Sequence, residues 1–231
     1  MMHSEGMMRS EDEALTLDLF GDLKSAELRR EELAPGAFIL RGFALPVETE
    51  LLKSLQEVVE RAPFRHMVTP GGFRMSVGMT NCGALGWVTD RRGYRYDVID
   101  PESGKRWPPI PNCFLKLAED AAEEAGFPRF LPDACLINRY EPGARLSLHQ
   151  DKNERDFDQP IVSVSLGRSA TFLFGGLERA EIQRRVRVVH GDVVVWGGPA
   201  RLRYHGVLPL KEGQHSLLGE YRLNLTFRRA G

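Results

Sequence analysis

Hydrophobic and polar positions change their spacing twice along this chain. Near the beginning, "GAFILRGFAL" is an apolar run bounded by Gly36 and Pro46, which predicts a short strand. Directly after it, Leu51, Leu52, Leu55, Val58 and Val59 recur at helical spacing and predict a helix over 47–61. "NCFLKLAEDAAEEA" predicts a second helix over 112–125, closed by Gly126 and Pro128. From Ala134 the period falls to two, in the runs "ACLINRY", "RLSLH", "IVSVSL", "ATFLF", "RRVRVV", "DVVVW", "RLRYH" and "YRLNLTF". Turn signals such as "EPG", "GG" and "HGD" separate them. Many short alternating strands without intervening helices predict an antiparallel sandwich or barrel, with the two helices packed outside one sheet.

The segment between the helices differs in kind. "TPGGFRMSVGMTNCGALGWVTDRRGYRYD" is rich in Gly, aromatics and Arg and holds no sustained period. It reads either as a long ordered loop or hairpin carrying binding residues, or as a β-meander that merely covers the core. The polar, Met-rich residues 1–14 read as a tail without fixed structure, leaving 15–231 as one domain. No internal repeat is evident.

Composition bounds the possibilities. A chain of 231 residues that is 42% apolar can bury a substantial core. No apolar run approaches the ~20 residues of a membrane span, and the first twenty residues lack the order of a secretory signal. Cys82, Cys113 and Cys135 form no CxxC pair, which argues against a disulfide scaffold or structural zinc and suits a cytoplasmic location. The formal net charge of -1 conceals an asymmetry. Residues 1–60 carry 13 acidic and 6 basic side chains, residues 181–231 4 acidic and 9 basic. The C-terminal part can therefore present a basic face, although an ordinary solvated surface has the same composition.

Chemistry enters at "RLSLHQDKNE". If the strand runs on through Asp151, period two sets His149 and Asp151 on one face and Gln150 on the other. The alternative is a polar strand end entering a charged turn. Two ligands seldom hold a metal alone. His205, 54 positions after Asp151 and at the end of "RLRYH", is a candidate third. His3, His66, His190 and His215 compete with it. Two histidines and a carboxylate on one face of an octahedral ion suit a non-heme Fe(II) oxygenase, and a catalytic zinc site uses similar ligands.

The last strand adds a second constellation. Arg222, Asn224, Thr226 and Arg228 stand at steps of two, opposite Leu223, Leu225 and Phe227. Two arginines facing a barrel interior require an anionic partner, and a dicarboxylate such as 2-oxoglutarate provides one. Asn138 and Tyr140, two apart in "INRYEPG", are further candidate donors from a neighbouring strand. An edge strand with its polar face in water satisfies the same phase.

The ordered blocks "MSVGMTNCGALGW", "DACLINRYEPGARLSLHQDKNE", "PIVSVSLG", "FLFGG", "HGDVVVWGG", "RLRYHG" and "NLTFR" resemble the bacterial AlkB alkylation-repair dioxygenases, which are Fe(II)/2-oxoglutarate-dependent oxygenases. The resemblance runs from about Leu17 to Arg228. It implies a mainly β fold with flanking helices: a double-stranded β-helix, or jelly roll, over about 133–229, with a nucleotide-recognition lid over about 64–105. It also implies that His149, Asp151 and His205 bind iron. Arg222, Asn138 and Tyr140 would hold the distal carboxylate of 2-oxoglutarate, and Asn224 and Arg228 the region nearer the metal. Trp87 resembles the lid aromatic that stacks on a flipped base, with the His149 ring on the other side. Met79, Tyr94, Lys152 and Arg179 match positions that touch the substrate or its backbone; Trp196 reads equally as packing.

The activity so implied is oxidative demethylation of N1-methyladenine and N3-methylcytosine in single-stranded DNA, with RNA as a further substrate. It uses Fe(II), 2-oxoglutarate and O2 and releases formaldehyde, succinate and CO2. Methylation at those positions blocks pairing and lowers the cost of extruding the base. Two departures from the pattern stand out. Where relatives read "HQDKDE" this chain has Asn153, which can donate and accept but carries no charge toward a cationic base. Leu223 replaces an occasional aromatic and is expected to face the core. Rival readings are an Fe(II)/2-oxoglutarate hydroxylase of a protein or small molecule, and a jelly-roll nucleic-acid reader without turnover. Nothing in the pattern demands an oligomer, so a monomer is expected.

Overall fold

The computed structural model describes residues 30–231, and the expected tail at 1–14 lies outside the described residues. A hairpin of β1 (Arg30–Ala34) and β2 (Ala37–Leu40) leads into α1 (Glu48–Arg61). The strands β3 (Gly78–Gly83), β4 (Gly86–Asp90) and β5 (Gly93–Asp97) precede α2 (Asn112–Glu124). After it come β6 (Ala134–Tyr140), β7 (Leu146–His149), β8 (Ile161–Gly167), β9 (Ala170–Phe174), β10 (Arg184–Val188), β11 (Val193–Trp196), β12 (His205–Val207) and β13 (Arg222–Arg228). Among the described residues no helix is long and apolar enough to cross a membrane.

The strands form a seven-stranded sheet, ordered β1-β2-β11-β8-β13-β6-β3, and a four-stranded sheet, ordered β10-β9-β12-β7. Their facing sides share one core, in which Ile39, Val194 and Trp196 of the large sheet meet Phe172, Phe174, Val186 and Val188 of the small one. The opposite side of the large sheet carries both helices. Leu51, Leu55 and Val58 of α1 and Phe114, Leu117 and Ala121 of α2 pack there against Val162, Val164, Leu225 and Phe227. Phe227 is fully buried and meets Phe114 edge-on, with ring centroids 6.1 Å apart; burying a side chain of that size contributes roughly 1.5–3 kcal/mol. Two antiparallel sheets with helices on one outer face make the expected jelly roll.

β13 is a central strand, paired with both β6 and β8. The solvent-facing alternative for its polar side is therefore ruled out: Arg222, Asn224, Thr226 and Arg228 are all buried and face the second sheet. Leu223 packs on the helical side, as expected.

Three details differ from the sequence pattern. β1 pairs with β2 although no strand was expected at 30–34. The stretch 64–105 divides in two: β3 joins the edge of the seven-stranded sheet, while β4 and β5 form a separate hairpin. The run "RLRYH" is strand only at His205. Residues 198–200 make a 3-10 turn through Pro199, and the alternating arginines serve loop carbonyls instead of a ladder. Arg201 donates to the oxygens of Gln159 and Asp151, and Arg203 to that of Gly175.

Candidate active site

A cavity of about 810 Å³ opens between the two sheets under the β4–β5 hairpin. Every residue that the AlkB resemblance assigns to metal, cosubstrate or substrate lines it. Residues as far apart as Met79 and Arg228 therefore meet in one place.

His149 ends β7, and His205 begins β12 directly opposite it in the antiparallel ladder. The ring centroids are 4.4 Å apart. Gly206 permits this approach, because a Cβ there would lie 2.7 Å from the Leu146 carbonyl oxygen. Asp151 is not on the strand. β7 stops at His149, and the next residues are pulled aside as Gln150 donates to the Leu202 carbonyl at 2.7 Å and Arg201 to the Asp151 carbonyl at 2.9 Å. The Asp151 carboxylate nevertheless reaches both rings, at 3.7 Å from each Nε2. Among the described residues these three form the single group of potential metal ligands, with ligand atoms within 4.8 Å of one another.

The tautomers suit a cation. Nδ1 of His149 lies 2.8 Å from the Ser147 carbonyl and Nδ1 of His205 lies 3.0 Å from the Arg203 carbonyl. A carbonyl only accepts, so each Nδ1 carries the hydrogen and each Nε2 lone pair is left for a ligand. Burial, reinforced by His149, pushes His205 down to about 3, so it is neutral at physiological pH. Burial alone would raise the Asp151 carboxyl, but Arg228 and the two histidines outweigh it and hold the group well below the usual carboxylate range. Arg228 makes two bonds to one oxygen of Asp151, at 2.6 and 2.9 Å. Two imidazoles that turn their Nε2 atoms toward an ionised carboxylate on one side of a cavity fit a divalent ion with open positions.

Deeper in the cavity, Arg222 fits an anion. Its guanidinium lies 4.8 Å from the centroid of the Tyr140 ring and donates to Ser165 Oγ at 3.1 Å. Its Nε and Nη1 are buried without a hydrogen-bond partner, as is Oδ1 of Asn138. Burial lowers the Arg222 pKa from its ordinary value. An unpaired buried guanidinium is costly, and a carboxylate is the group that satisfies its planar donors. Asn224 is already engaged, donating to Ser163 Oγ and the Val164 carbonyl and accepting from Thr226.

At the mouth, Trp87 and Tyr94 of the hairpin stack with centroids 5.8 Å apart. Asn81 of β3 clamps the hairpin by accepting from the Trp87 amide at 2.9 Å and donating to its carbonyl at 3.0 Å. Met79 is buried beneath, while Lys152, Asn153 and Arg179 are exposed at the rim. Trp196 packs between the sheets and also borders the cavity, 4.9 Å from the His205 ring.

The competing histidines go elsewhere. His190 accepts from the Gly167 amide and donates to Glu48, beside His215. His66 donates to the Met75 carbonyl, and His3 lies outside the described residues. Spacing did not reveal the network behind Asp151, in which half-buried Tyr96 meets buried Glu154 and Arg201. Glu154 follows a charged turn and reads there as a solvated residue.

The family model of the 2OG-Fe(II) oxygenase superfamily matches residues 36–228. The alpha-ketoglutarate-dependent dioxygenase AlkB of Escherichia coli is 58% identical over 215 residues, spanning 93% of this chain and 98% of that protein. Its namesake from Salmonella typhimurium is 57% identical over 214 residues, with the same coverage of 93% and 98%. The solved structure of OsALKBH1 superposes with a TM-score of 0.78 at 29% identity, covering 87% of this chain and 100% of that one. With its His-Asp-His cluster and its buried arginines, the chain thus belongs to the 2OG-Fe(II) oxygenase superfamily and is of the bacterial AlkB type, an enzyme that works with Fe(II), 2-oxoglutarate and O2.

Proposed function

We propose that this enzyme removes methyl groups from the Watson–Crick edge of nucleobases, acting on N1-methyladenine and N3-methylcytosine in single-stranded DNA, with RNA as a further substrate. The observation that carries this reading is the character of the cavity mouth. Arg74, Arg145, Lys152 and Arg179 are exposed around it, with Phe73 and Tyr94 as exposed aromatics. Asp151 is the sole carboxylate lining the cavity among the described residues. Cations suit a phosphate backbone, and aromatic faces suit unstacked bases.

In this reading His149, Asp151 and His205 hold iron through two Nε2 atoms and a carboxylate. Arg222, with Asn138 and Tyr140, takes the distal carboxylate of 2-oxoglutarate. Asn224 and Arg228 border the carboxylate nearer the metal, and Arg228 also keeps Asp151 ionised and oriented. Trp87 covers one face of the flipped base and the His149 ring the other, excluding water from the N-methyl group. Met79 closes the floor, and Tyr94, Lys152 and Arg179 steady the flanking strand. When bound, iron with 2-oxoglutarate and oxygen supplies the oxidation that releases the methyl carbon as formaldehyde. Asn153 at the rim meets the base edge with an amide, which accepts from an exocyclic amine without adding charge.

Anaerobic loading with Fe(II) and 2-oxoglutarate, followed by O2 and matched oligonucleotides bearing each lesion, tests the reading. Formaldehyde and succinate in equal amounts, on single-stranded DNA first, are expected. Succinate without formaldehyde from any oligonucleotide overturns the substrate assignment, and the absence of both points to a reader without turnover.

A further inference from the structure

Glu154 closes the motif "HQDKNE" and does not line the cavity. Its carboxylate, only 2% exposed, is held by two hydrogen-bond donors and one further ion pair from three parts of the fold. The Tyr96 hydroxyl of β5 donates to Oε1 at 2.6 Å. Arg201, after the 3-10 turn, donates to Oε2 at 3.2 Å. Arg228 of β13 lies with its Nε 3.5 Å from Oε1. Both arginines also hold Asp151: Arg228 grips its side chain and Arg201 its carbonyl.

Tyr96 is the residue directly across the β4–β5 ladder from Trp87. Among the described residues, its bond to Glu154 is the side-chain hydrogen bond that joins the hairpin to segment 150–154. A continuous path therefore runs from Trp87 through Tyr96, Glu154 and Arg228 to Asp151. A carboxylate so deeply buried depends on every donor it has.

We propose that Glu154 is a positioning residue that couples docking of the β4–β5 hairpin to the orientation of Asp151. With the hairpin docked, the Tyr96 hydroxyl occupies Oε1 and Arg228 gives its short bonds to Asp151. With the hairpin lifted, Oε1 loses that donor, and Arg228 is drawn from Asp151 toward Glu154. Coupling of this kind is reciprocal, so a metal bound at the triad must in turn hold the hairpin down.

This inference rests on Asp151 being a metal ligand, and the test separates the two claims. Co(II) binding to the full chain is read from its visible d–d absorption. Hydrogen exchange of peptides covering residues 86–97 is then followed with and without Co(II). In the parent, Co(II) is expected to slow exchange there at least threefold. Y96F removes one hydroxyl and keeps the ring; it is expected to bind Co(II) and lose that slowing. E154Q, which keeps the shape and loses the charge, is expected to do the same, whereas E154A would also remove the side chain that packs beside two buried arginines. Thermal midpoints report folding of each variant. A slowing in Y96F equal to that in the parent overturns the coupling, as does no slowing in the parent despite bound Co(II). A parent without the Co(II) spectrum, or a D151A variant that retains it, overturns the ligand assignment instead.

Discussion

His205 stands directly across the β12–β7 ladder from His149, and Asp151 reaches both rings at 3.7 Å. This is the point at which three remote parts of the pattern become one chemical group. Asp151→Ala removes its only carboxylate. Turnover is expected to fall to background, and Fe(II) affinity by more than the ~10–100-fold that loss of an outer partner brings. Formaldehyde release from methylated oligonucleotide and metal titration measure both, and parent-like release by D151A refutes the ligand role.

Arg222 is buried with two unpartnered nitrogens. R222M is expected to leave the ligand-free protein as stable as the parent or more so, because an unpaired buried cation is removed. Affinity for 2-oxoglutarate should fall roughly 10–150-fold, the range of a lost charged hydrogen bond. The parent's thermal midpoint should rise with 2-oxoglutarate, as any ligand of the native state requires, and that of R222M should rise less at the same concentration. An equal rise in both disproves the assignment.

Trp87 is expected to act on substrate alone. W87A should raise the KM for methylated oligonucleotide about 5- to 150-fold, corresponding to ~1–3 kcal/mol of stacking. Binding of 2-oxoglutarate should be unchanged. Steady-state kinetics with each ligand varied in turn decide the matter, and an unaltered oligonucleotide KM removes the stacking role.

Asn153 is exposed at the rim, where an aspartate would bring a charge to a cationic base. N153D is expected to change the ratio of kcat/KM between N1-methyladenine and N3-methylcytosine by severalfold, with the 2-oxoglutarate KM constant. Competition between the two lesions in one reaction reads the ratio directly. An unchanged ratio means that base preference lies elsewhere.

Stability should depend on pH through His205. Its folded value is depressed from 6.5 to about 3 by burial, so between those limits the unfolded chain binds a proton that the native state does not. Stability then rises with pH across that window and is lost as pH falls from 6.5, by at most ~1.4 kcal/mol per unit from this group. Urea unfolding of metal-free protein at pH 7, 6 and 5 should follow this slope, and H205N should flatten it. A parent curve flat from 7 to 5 contradicts the assignment.

Much of this was legible in one dimension. Alternation at 222–228 sorted Arg222 and Arg228 from Leu225 and Phe227, because a strand sends successive side chains to opposite faces whatever surrounds it. Helical spacing located α1 and α2 to within a residue or two. The same logic failed at "RLRYH", where Arg201 and Arg203 alternate in pattern but are spent on loop carbonyls. It also reached Asp151 by the wrong route, since that residue leaves the ladder after His149.

By itself, the sequence determined the periodicities, and with them the two-faced strands, the amphipathic helices and the set of residue types able to bind a metal and a dicarboxylate. Tertiary structure decided which faces meet. It made β13 central, so that its polar face is buried in the cavity rather than wetted. It paired His205 with His149, and it enclosed Glu154 between Tyr96, Arg201 and Arg228. Period and residue type are local properties of a chain. Strand order, register and the burial of a charge arise from pairings between distant segments, and no spacing encodes them.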